Sequence, residues 1–197
     1  MNWREANQAF FQSNVWATLR DDHGRCIFKY PTDLWVYREI IRRTQPAIII
    51  ETGSGEGGTG AWFADYAEVI SIDISAPDHP DSRVSWIRGS SISTDIVEQV
   101  YERVRGRHCL VTLDSDHHAE HVAAELQLYA PLIHLGDYLV VEDTAVDEYS
   151  LDATHYPNGG PGIATQNFLQ QGTFEPDEQC ERFFLGMNPG GWLRRVA

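Results

Sequence analysis

A glycine-rich turn between two apolar runs is the feature that most restricts how this chain can fold. Residues 48–75 read "IIIETGSGEGGTGAWFADYAEVISIDIS", in which each apolar run ends in an acid. Five glycines fall within the eight residues 53–60. Glycine adopts backbone angles that other residues avoid, and it lets a ligand approach the chain closely. The pattern predicts a strand, a ligand-binding turn, a helix and a second strand.

The middle of the chain continues this alternation of apolar runs and helical patterns. Further short runs, such as "CLVTLD" and "YLVVED", are separated by segments with helical spacing. Uninterrupted apolar runs are typical of strands buried on both faces of a parallel sheet. Alternating strands and helices are joined by right-handed crossovers. The sequence therefore predicts an α/β, Rossmann-like, doubly wound and mostly parallel sheet with helices on both faces.

The two ends of the chain depart from the alternation. Residues 1–20 contain four aromatic side chains and predict a helix packed on the domain or on a neighbouring subunit. A second helix is predicted within residues 30–46, with Thr32 or Asp33 as its cap. In the tail, "RFFLGMNPGGWLRRV" predicts two short antiparallel strands joined by residues 188–191. We expect a single domain over 1–197, with an N-terminal helical segment (1–45) and a Rossmann-like core (46–197).

The bulk properties exclude several classes of protein. A length of 197 residues suits one well-buried domain, and a net charge of -14 opposes binding to nucleic acid. Cys26, Cys109 and Cys180 lack the spacing of a zinc knuckle or a disulfide framework, which fits a reducing compartment. We find no signal-peptide pattern and no apolar run long enough for a membrane span. The sequence predicts a cytoplasmic protein without a nucleic-acid or membrane partner.

The residues around the glycine turn restrict which ligands it can bind. Gly53, Gly55 and Gly58 fit the pattern GxGxxG, which nicotinamide and flavin enzymes share. Glu51 stands where its carboxylate can reach an ammonium group of a ligand and would repel a pyrophosphate. Asp73 ends the second strand, where an acid binds the ribose hydroxyls of either NAD or S-adenosylmethionine. The alternative is a glycine turn that binds nothing.

Four carboxylates follow two other predicted strands at the same edge of the sheet: Asp114, Asp116, Glu142 and Asp143. Gathered without a cation, these groups would repel one another and raise one another's pKa values. A hard divalent ion with oxygen ligands, most simply Mg²⁺, would relieve the repulsion. The alternative is that such acids only cap the N-termini of helices.

Histidines and a serine near these acids add candidates. "HHAEH", residues 117–121, matches the H-x-x-E-H motif of inverted zinc proteases, but that motif belongs in the middle of a helix and this one follows a strand directly. His117 or His118 is instead a candidate general base, and His121 a packed or surface residue. Ser91 of "GSSIS" is a candidate hydrogen-bond donor to an adenine, or else a helix cap.

Several motifs together resemble the cephalosporin hydroxylase family of class I S-adenosylmethionine-dependent methyltransferases, which includes sugar and natural-product O-methyltransferases. "ETGSGEGGT" with "SIDI" is similar to the first two class I motifs. "PTDLWVYREIIRRTQP", "GSSIS", "LDSDHHAEHVAAELQLYAPLI" and "GDYLVVEDT" are similar to those of the family over residues 30–144. The terminal hairpin matches the seventh-strand insertion of that fold, which implies a seven-stranded sheet.

The resemblance also implies site residues and cofactors. In that family a metal is held by an acid after the fourth strand and an acidic pair after the fifth, positions that Asp116, Glu142 and Asp143 occupy. Asp114 is then a structural or cofactor-side residue. The cofactor S-adenosylmethionine would be held by nine residues: Glu51, Gly53, Ser54, Gly55, Gly58, Thr59, Asp73, Ser91 and Asp114.

These features predict a Mg²⁺-dependent O-methyltransferase that acts on a hydroxyl of a sugar or natural product, as in antibiotic biosynthesis, and that forms a homo-oligomer. Two alternatives are an NAD-dependent oxidoreductase and a non-catalytic subunit that binds a cofactor or metal. Residues 144–171 match the family least, and they follow the fifth strand, where such enzymes build substrate pockets. Tyr149, His155 and Tyr156 are candidates for lining that pocket.

Overall fold

The computed structural model describes residues 3–75, 77, 80–147 and 156–197. Strands and helices alternate through its centre, as the apolar runs predict. The helices are α1 (Trp3–Gln12), α2 (Pro31–Thr44), α3 (Gly58–Phe63), α4 (Thr94–Val104), α5 (Ala119–Tyr129) and α6 (Pro161–Leu169). The strands are β1 (Ile48–Thr52), β2 (Glu68–Asp73), β3 (Val84–Arg88), β4 (Cys109–Leu113), β5 (Tyr138–Val141), β6 (Phe174–Pro176) and β7 (Trp192–Arg195).

The strands form one seven-stranded sheet in the order β3-β2-β1-β4-β5-β7-β6. β1 lies at its centre, where Ile50 pairs with Ile70 of β2 and Val111 of β4 in parallel register. β7 runs antiparallel to β5, and β6 antiparallel to β7. This confirms the predicted Rossmann-like sheet with a C-terminal antiparallel hairpin.

Helices cover both faces of the sheet because the central strands β1, β4 and β5 are buried on both sides. On one face Ile48 and Ile50 pack with apolar residues of α4, α5 and α6. On the other, Ile49 packs with Tyr37 of α2 and Phe63 of α3. Fully burying one such isoleucine contributes about 1.5–3 kcal/mol. No helix among the described residues is long and apolar enough to cross a membrane.

The hairpin uses a different first strand from the predicted one. The partner of β7 is β6 at Phe174–Pro176, not the apolar run near residues 182–186. The backbone after that run serves other contacts, since the Met187 N–H donates to the Asp33 carboxylate (2.9 Å). Phe184 is 64% exposed. The strand prediction was wrong because two adjacent phenylalanines mimic a strand.

The start of α2 also differs from the prediction. The helix begins at Pro31, the residue whose fixed backbone angle suits a first helical position. Neither predicted cap, Thr32 or Asp33, lies before the helix. Asp33 is buried, and its carboxylate accepts a hydrogen bond from the Met187 N–H instead of capping the helix.

Candidate active site

The glycine turn after β1 is packed so closely that two of its glycines cannot carry a side chain. Gly53 has φ +82°, and a Cβ there would lie 1.9 Å from the carbonyl oxygen of Asp114. A Cβ on Gly58 would lie 2.3 Å from the carbonyl oxygen of Cys26. The turn therefore packs directly against the end of β4 at Gly53 and against the segment before α2 at Gly58. Without side chains at these glycines, a ligand can approach the backbone of the turn closely.

A cavity of about 500 Å³ occupies that space at the carboxyl edge of the sheet. Five residues of the predicted cofactor set line it: Gly53, Gly55, Asp73, Ser91 and Asp114. This is the crevice outside the strand ends in which doubly wound sheets bind ligands. Its volume lies within the range of small-molecule sites.

Asp73 is held in place as an ionised acceptor. Its Oδ2 accepts hydrogen bonds from the backbone N–H of Ser54 (2.8 Å) and from the Ser54 hydroxyl (3.1 Å). Its Oδ1 accepts from the N–H (2.9 Å) and hydroxyl of Ser75. Burial opposes ionisation, but these hydrogen bonds lower the pKa of the Asp73 carboxyl. A fixed carboxylate at the cavity wall suits a ligand with adjacent hydroxyls.

The remaining members of the predicted cofactor set lie behind the cavity wall. Glu51 is 1% exposed, and its Oε2 accepts a hydrogen bond from the Ser71 hydroxyl (2.6 Å) under α3. Burial raises the pKa of Glu51 to about 7. Thr59 and Gly58 are buried in the first turn of α3. Ser54 contributes to the site indirectly, because its N–H and hydroxyl hold the carboxylate of Asp73.

A charged cluster stands beside the cavity, where β4 and β5 end. His117 Nε2 lies 3.3 Å from Oδ1 of Asp114 and 3.6 Å from Oδ2 of Asp143. One ligand atom from each of these three residues lies within 4.8 Å of the other two. Lys29 reaches the same place from the segment before α2, donating to Oδ2 of Asp114 and lying 3.5 Å from Oε1 of Glu142.

Asp143 reaches this cluster through an uncommon backbone conformation. Its φ is +57°, in the left-handed region that Asp and Asn tolerate better than most residues. The Asn188 side chain fixes the turn, because its Oδ1 accepts the Asp143 N–H (2.8 Å). Such conformations cost free energy and occur often at functional sites.

Burial and mutual charge together set the protonation of the cluster. Burial, with the charges of Asp114 and Glu142, raises the pKa of Asp143 to about 6, although His117 and Lys29 oppose this. Burial opposes protonation of His117, but the hydrogen bond to Asp114 and the charge of Asp143 raise its pKa to about 9. Burial also disfavours the charge of Lys29, yet Asp114 and Glu142 raise its pKa. The cluster is a carboxylate set whose charge two cations balance only in part.

Glu142, one of the three predicted metal ligands, lies one layer deeper. It is 1% exposed. Its Oε1 accepts hydrogen bonds from the Tyr37 hydroxyl and from the Thr112 hydroxyl (3.2 Å). It adds negative charge to the cluster from below and faces Lys29 rather than the cavity.

Asp116, another predicted metal ligand, lines the cavity but does not belong to the cluster of Asp114, His117 and Asp143. Its Oδ1 pairs with Nδ1 of His118 at 2.5 Å, and both side chains are about half exposed. The acid of the β4 turn that the structure brings to Asp143 is Asp114, two residues earlier. Neighbouring side chains on a turn point in different directions. Sequence order alone therefore does not show whether Asp114 or Asp116 faces Asp143.

The histidines of the "HHAEH" run separate in the same way. His117 faces the charged cluster, whereas the ring of His118 packs against Tyr156, with centroids 5.4 Å apart. His121 Nε2 lies 3.1 Å from the hydroxyls of Ser91 and Ser115. His117 and His121 therefore have different surroundings, as the rejection of the protease motif requires. Ser91 lines the cavity and does not cap α4, which follows Ser93.

Sequence reasoning missed Lys29 and Asn188. Lys29 is the single lysine of the chain, against fourteen arginines, and it lies between apolar residues in "IFKYP". A lone lysine in an apolar segment could have marked Lys29 as a candidate for the functional site. Asn188 was assigned to a hairpin turn, and nothing in its spacing indicates a contact with Asp143. Tyr149 and His155 lie outside the described residues.

Comparison with known proteins identifies the family. The model of the rhamnosyl O-methyltransferase/CmcI family matches residues 14–196. A rhamnosyl O-methyltransferase of Mycobacterium bovis is 33% identical over 213 residues, covering 97% of this chain and 84% of the relative. The Mycobacterium leprae enzyme of that name is 32% identical over 207 residues, covering 98% and 82%.

Solved structures share the fold. A CmcI structure containing magnesium and S-adenosylmethionine has a TM-score of 0.69 at 21% identity, covering 92% of this chain and 78% of that chain. A TDP-rhamnose 3'-O-methyltransferase of calicheamicin biosynthesis has a TM-score of 0.54 at 16% identity, covering 98% and 92%. The predicted enzyme class, an S-adenosylmethionine-dependent O-methyltransferase, is confirmed, and the chain belongs to the rhamnosyl O-methyltransferase/CmcI family.

Proposed function

We propose that this protein transfers a methyl group from S-adenosylmethionine to a hydroxyl of a rhamnose-like sugar, free or attached to a natural product, with Mg²⁺ as a second cofactor. The names of the mycobacterial relatives support the sugar. The observation that carries the proposal is the juxtaposition of Asp114, His117 and Asp143 with the cavity above the glycine turn.

The cavity suits the cofactor at two points. Asp73 offers a fixed carboxylate to the ribose hydroxyls, and Gly53 and Gly55 let the methionine half approach the backbone. S-Adenosylmethionine supplies a methyl group on a positively charged sulfur. Glu51 favours that charge from behind the turn, where it is ionised only near or above neutral pH because its pKa is raised.

The charged cluster suits a hard divalent cation. Asp114 presents its carboxylate at the cavity, Asp143 lies next to it in the cluster, and Glu142 adds negative charge from below. Burial and the charges of Asp114 and Glu142 together raise the pKa of Asp143, although His117 and Lys29 oppose this. Asp114 and Asp143 would hold Mg²⁺, with Glu142 close by, and the ion would lower the pKa of a substrate hydroxyl.

Within this site His117 is the residue placed to move a proton. Its raised pKa keeps the imidazole protonated while Asp114 and Asp143 are its partners. With a cation bound to those carboxylates, His117 would lose that stabilisation and could act as a neutral base near working pH. Lys29 keeps Asp114 oriented throughout, because its ammonium is buried against that carboxylate. Positioning and electrostatics then carry the reaction.

Calorimetric titration with S-adenosylhomocysteine, in EDTA and in Mg²⁺, tests the cofactor half of the proposal. We expect binding in both buffers, since Asp73 and the glycine turn do not depend on the metal, and we expect none with NAD. Methyl transfer to a panel of rhamnosides then tests the acceptor. Binding without turnover on any diol-bearing sugar would favour the non-catalytic alternative, and no binding in either buffer would refute the cofactor assignment.

Three finer predictions from the sequence accompany this proposal. A homo-oligomer, a role in antibiotic biosynthesis and a cytoplasmic location all fit a small-molecule methyltransferase. The aromatic residues of α1 supply the argument for assembly, because Phe10 and Phe11 are only partly buried against Tyr30 and its neighbours. Light scattering of the purified protein measures the assembly directly.

A further inference from the structure

A second cluster of metal-ligating side chains lies at the opposite, amino edge of the sheet. His108 directly precedes β4, and His134 and Asp137 precede β5. Nδ1 of His108 lies 3.0 Å from Oδ2 of Asp137, and the two imidazole centroids are 4.3 Å apart. One ligand atom from each of the three residues lies within 4.8 Å of the other two. The five residues of β4 separate this cluster from the cavity by about 16 Å, at roughly 3.3 Å per residue.

Asp137 indicates that the cluster is incomplete. The residue is 7% exposed. Its Oδ2 makes no hydrogen bond of regular geometry among the described residues, although Nδ1 of His108 lies 3.0 Å away. A buried polar atom without a partner calls for a water or an ion.

The three positions are fixed by the sheet before any ion arrives. The Asp137 N–H donates to the His134 carbonyl (3.0 Å), and the His108 carbonyl accepts the Ala47 N–H (3.0 Å) at the start of β1. The Arg195 N–H of β7 donates to the Asp137 carbonyl (2.9 Å). The ligands therefore come from rigid strand entries, and the half-exposed His108 ring leaves a path for an ion to enter.

The donor types select the class of ion. Two imidazoles and one carboxylate, with one position left for water, are a ligand set typical of zinc. Mg²⁺ would find a single carboxylate here and prefers oxygen ligands. Arg43 and Arg194 line the same hollow of about 340 Å³, which disfavours an ion held by charge alone. We infer that His108, His134 and Asp137 bind a zinc-class divalent transition-metal ion.

Such an ion would join the segments that enter β4 and β5. Because it binds the folded state, it raises stability by mass action without touching the methyl-transfer site. The inference does not depend on the proposed function. Its failure would leave the methyltransferase proposal intact, and the reverse also holds.

Calorimetric titration with Zn²⁺ tests the inference on the full chain, freed of any histidine tag and kept in excess Mg²⁺. We expect one zinc site in the wild type. His108→Gln and His134→Gln should each weaken it by at least about tenfold, since even indirect ligand supports are worth 10–100-fold. His23→Gln is the matched control, because His23 is exposed and does not belong to the cluster. Asp143→Asn tests whether zinc binds at the carboxyl-edge cluster instead. His23→Gln and Asp143→Asn should both keep the wild-type affinity for zinc.

Thermal melting and Co²⁺ substitution give independent readouts. Zn²⁺ should raise the melting temperature of the wild type and of His23→Gln, but not of His108→Gln or His134→Gln. Co²⁺ should give the visible bands of a four-coordinate site with nitrogen ligands. Absence of zinc binding to the wild type, or unchanged affinity in both histidine variants, would overturn the inference.

Discussion

The two edges of the sheet each gather a carboxylate and a histidine, but they balance charge differently. At the carboxyl edge Asp114, Asp143 and Glu142 face His117 and the buried Lys29. At the amino edge a single buried carboxylate, Asp137, meets two imidazoles. The first cluster has an excess of oxygen donors and negative charge. The second has mainly nitrogen donors and little charge.

Close ligand atoms alone do not define an active site. Both clusters bring ligand atoms within 4.8 Å of one another. Among the described residues the carboxyl edge has the larger of the two cavities, about 500 Å³ against about 340 Å³, together with a fixed carboxylate at Asp73 and the buried ammonium of Lys29. We therefore assign chemistry to the carboxyl edge and ion binding alone to the amino edge.

The largest effect should come from removing charge at the carboxyl edge. Asp143→Asn should lower the rate of methyl transfer by about 10²–10³-fold, the scale of losing one preorganised electrostatic contact. Affinity for S-adenosylhomocysteine should stay within a fewfold of wild type, because Asp143 does not line the cavity. Initial rates with labelled S-adenosylmethionine and calorimetry measure the two quantities. Loss of both together would place Asp143 in the cofactor site.

A matched pair separates the two acids of the β4 turn. Asp114→Asn should lower the rate as Asp143→Asn does, because Asp114 faces His117 and Lys29. Asp116→Asn should retain the rate within about twofold, as expected for a half-exposed residue outside the cluster. The reverse ranking would return the metal-ligand role to Asp116, as the family resemblance implies.

The next largest effect should be on stability. Lys29→Met removes the buried ammonium and leaves the carboxylates uncompensated, which should lower the free energy of unfolding by about 3–5 kcal/mol. Mg²⁺ should recover part of that loss, because it supplies positive charge at the same cluster. Urea unfolding with and without Mg²⁺ measures both, and Arg42→Met, an exposed cation on α2, is the control. A loss that Mg²⁺ leaves unchanged would argue against a metal at this edge.

Much of this comparison could be read from the sequence, and the missing part has a physical cause. Strand-end positions follow from apolar runs, so Asp73, Asp114 and Asp143 were all expected at one edge. The direction of each side chain depends on turn geometry, which separates Asp114 from Asp116 and His117 from His118. Lys29 arrives from about 85 residues away in the chain, a distance that no local spacing encodes.

Glu51 is a buried acid at the end of β1, where the charge of Lys29 lowers its pKa less than burial raises it. Its pKa is raised from 4.5 in the unfolded chain to about 7 by burial. The unfolded state therefore ionises first as pH rises, so stability falls between pH 4.5 and 7 and is level above that window. Glu51→Gln removes this slope. Relative to the variant, the wild type should lose at most about 3 kcal/mol across the window.

Urea unfolding of both proteins from pH 4.5 to pH 8 gives the difference directly, because all other titrations are shared. Glu98→Gln, exposed on α4, is the control and should run parallel to the wild type. Parallel curves for Glu51→Gln as well would mean that Glu51 is ionised in the folded state. The charged cluster would then reach the end of β1.

The smallest effect tests the outer boundary of the carboxyl edge. His118→Gln removes an exposed partner of Asp116 and a ring contact with Tyr156, which together should lower the free energy of unfolding by no more than about 1 kcal/mol. The rate of methyl transfer should change by less than about twofold, since His118 lies outside the cluster of Asp114 and Asp143. His117→Gln, measured beside it, should lose most of the rate and the acidic limb of the pH–rate profile, where protonation of the base lowers the rate. If His118→Gln were the slower variant, the proton acceptor would lie on the exposed side of the turn, and the cluster around Lys29 would serve only to bind the cation.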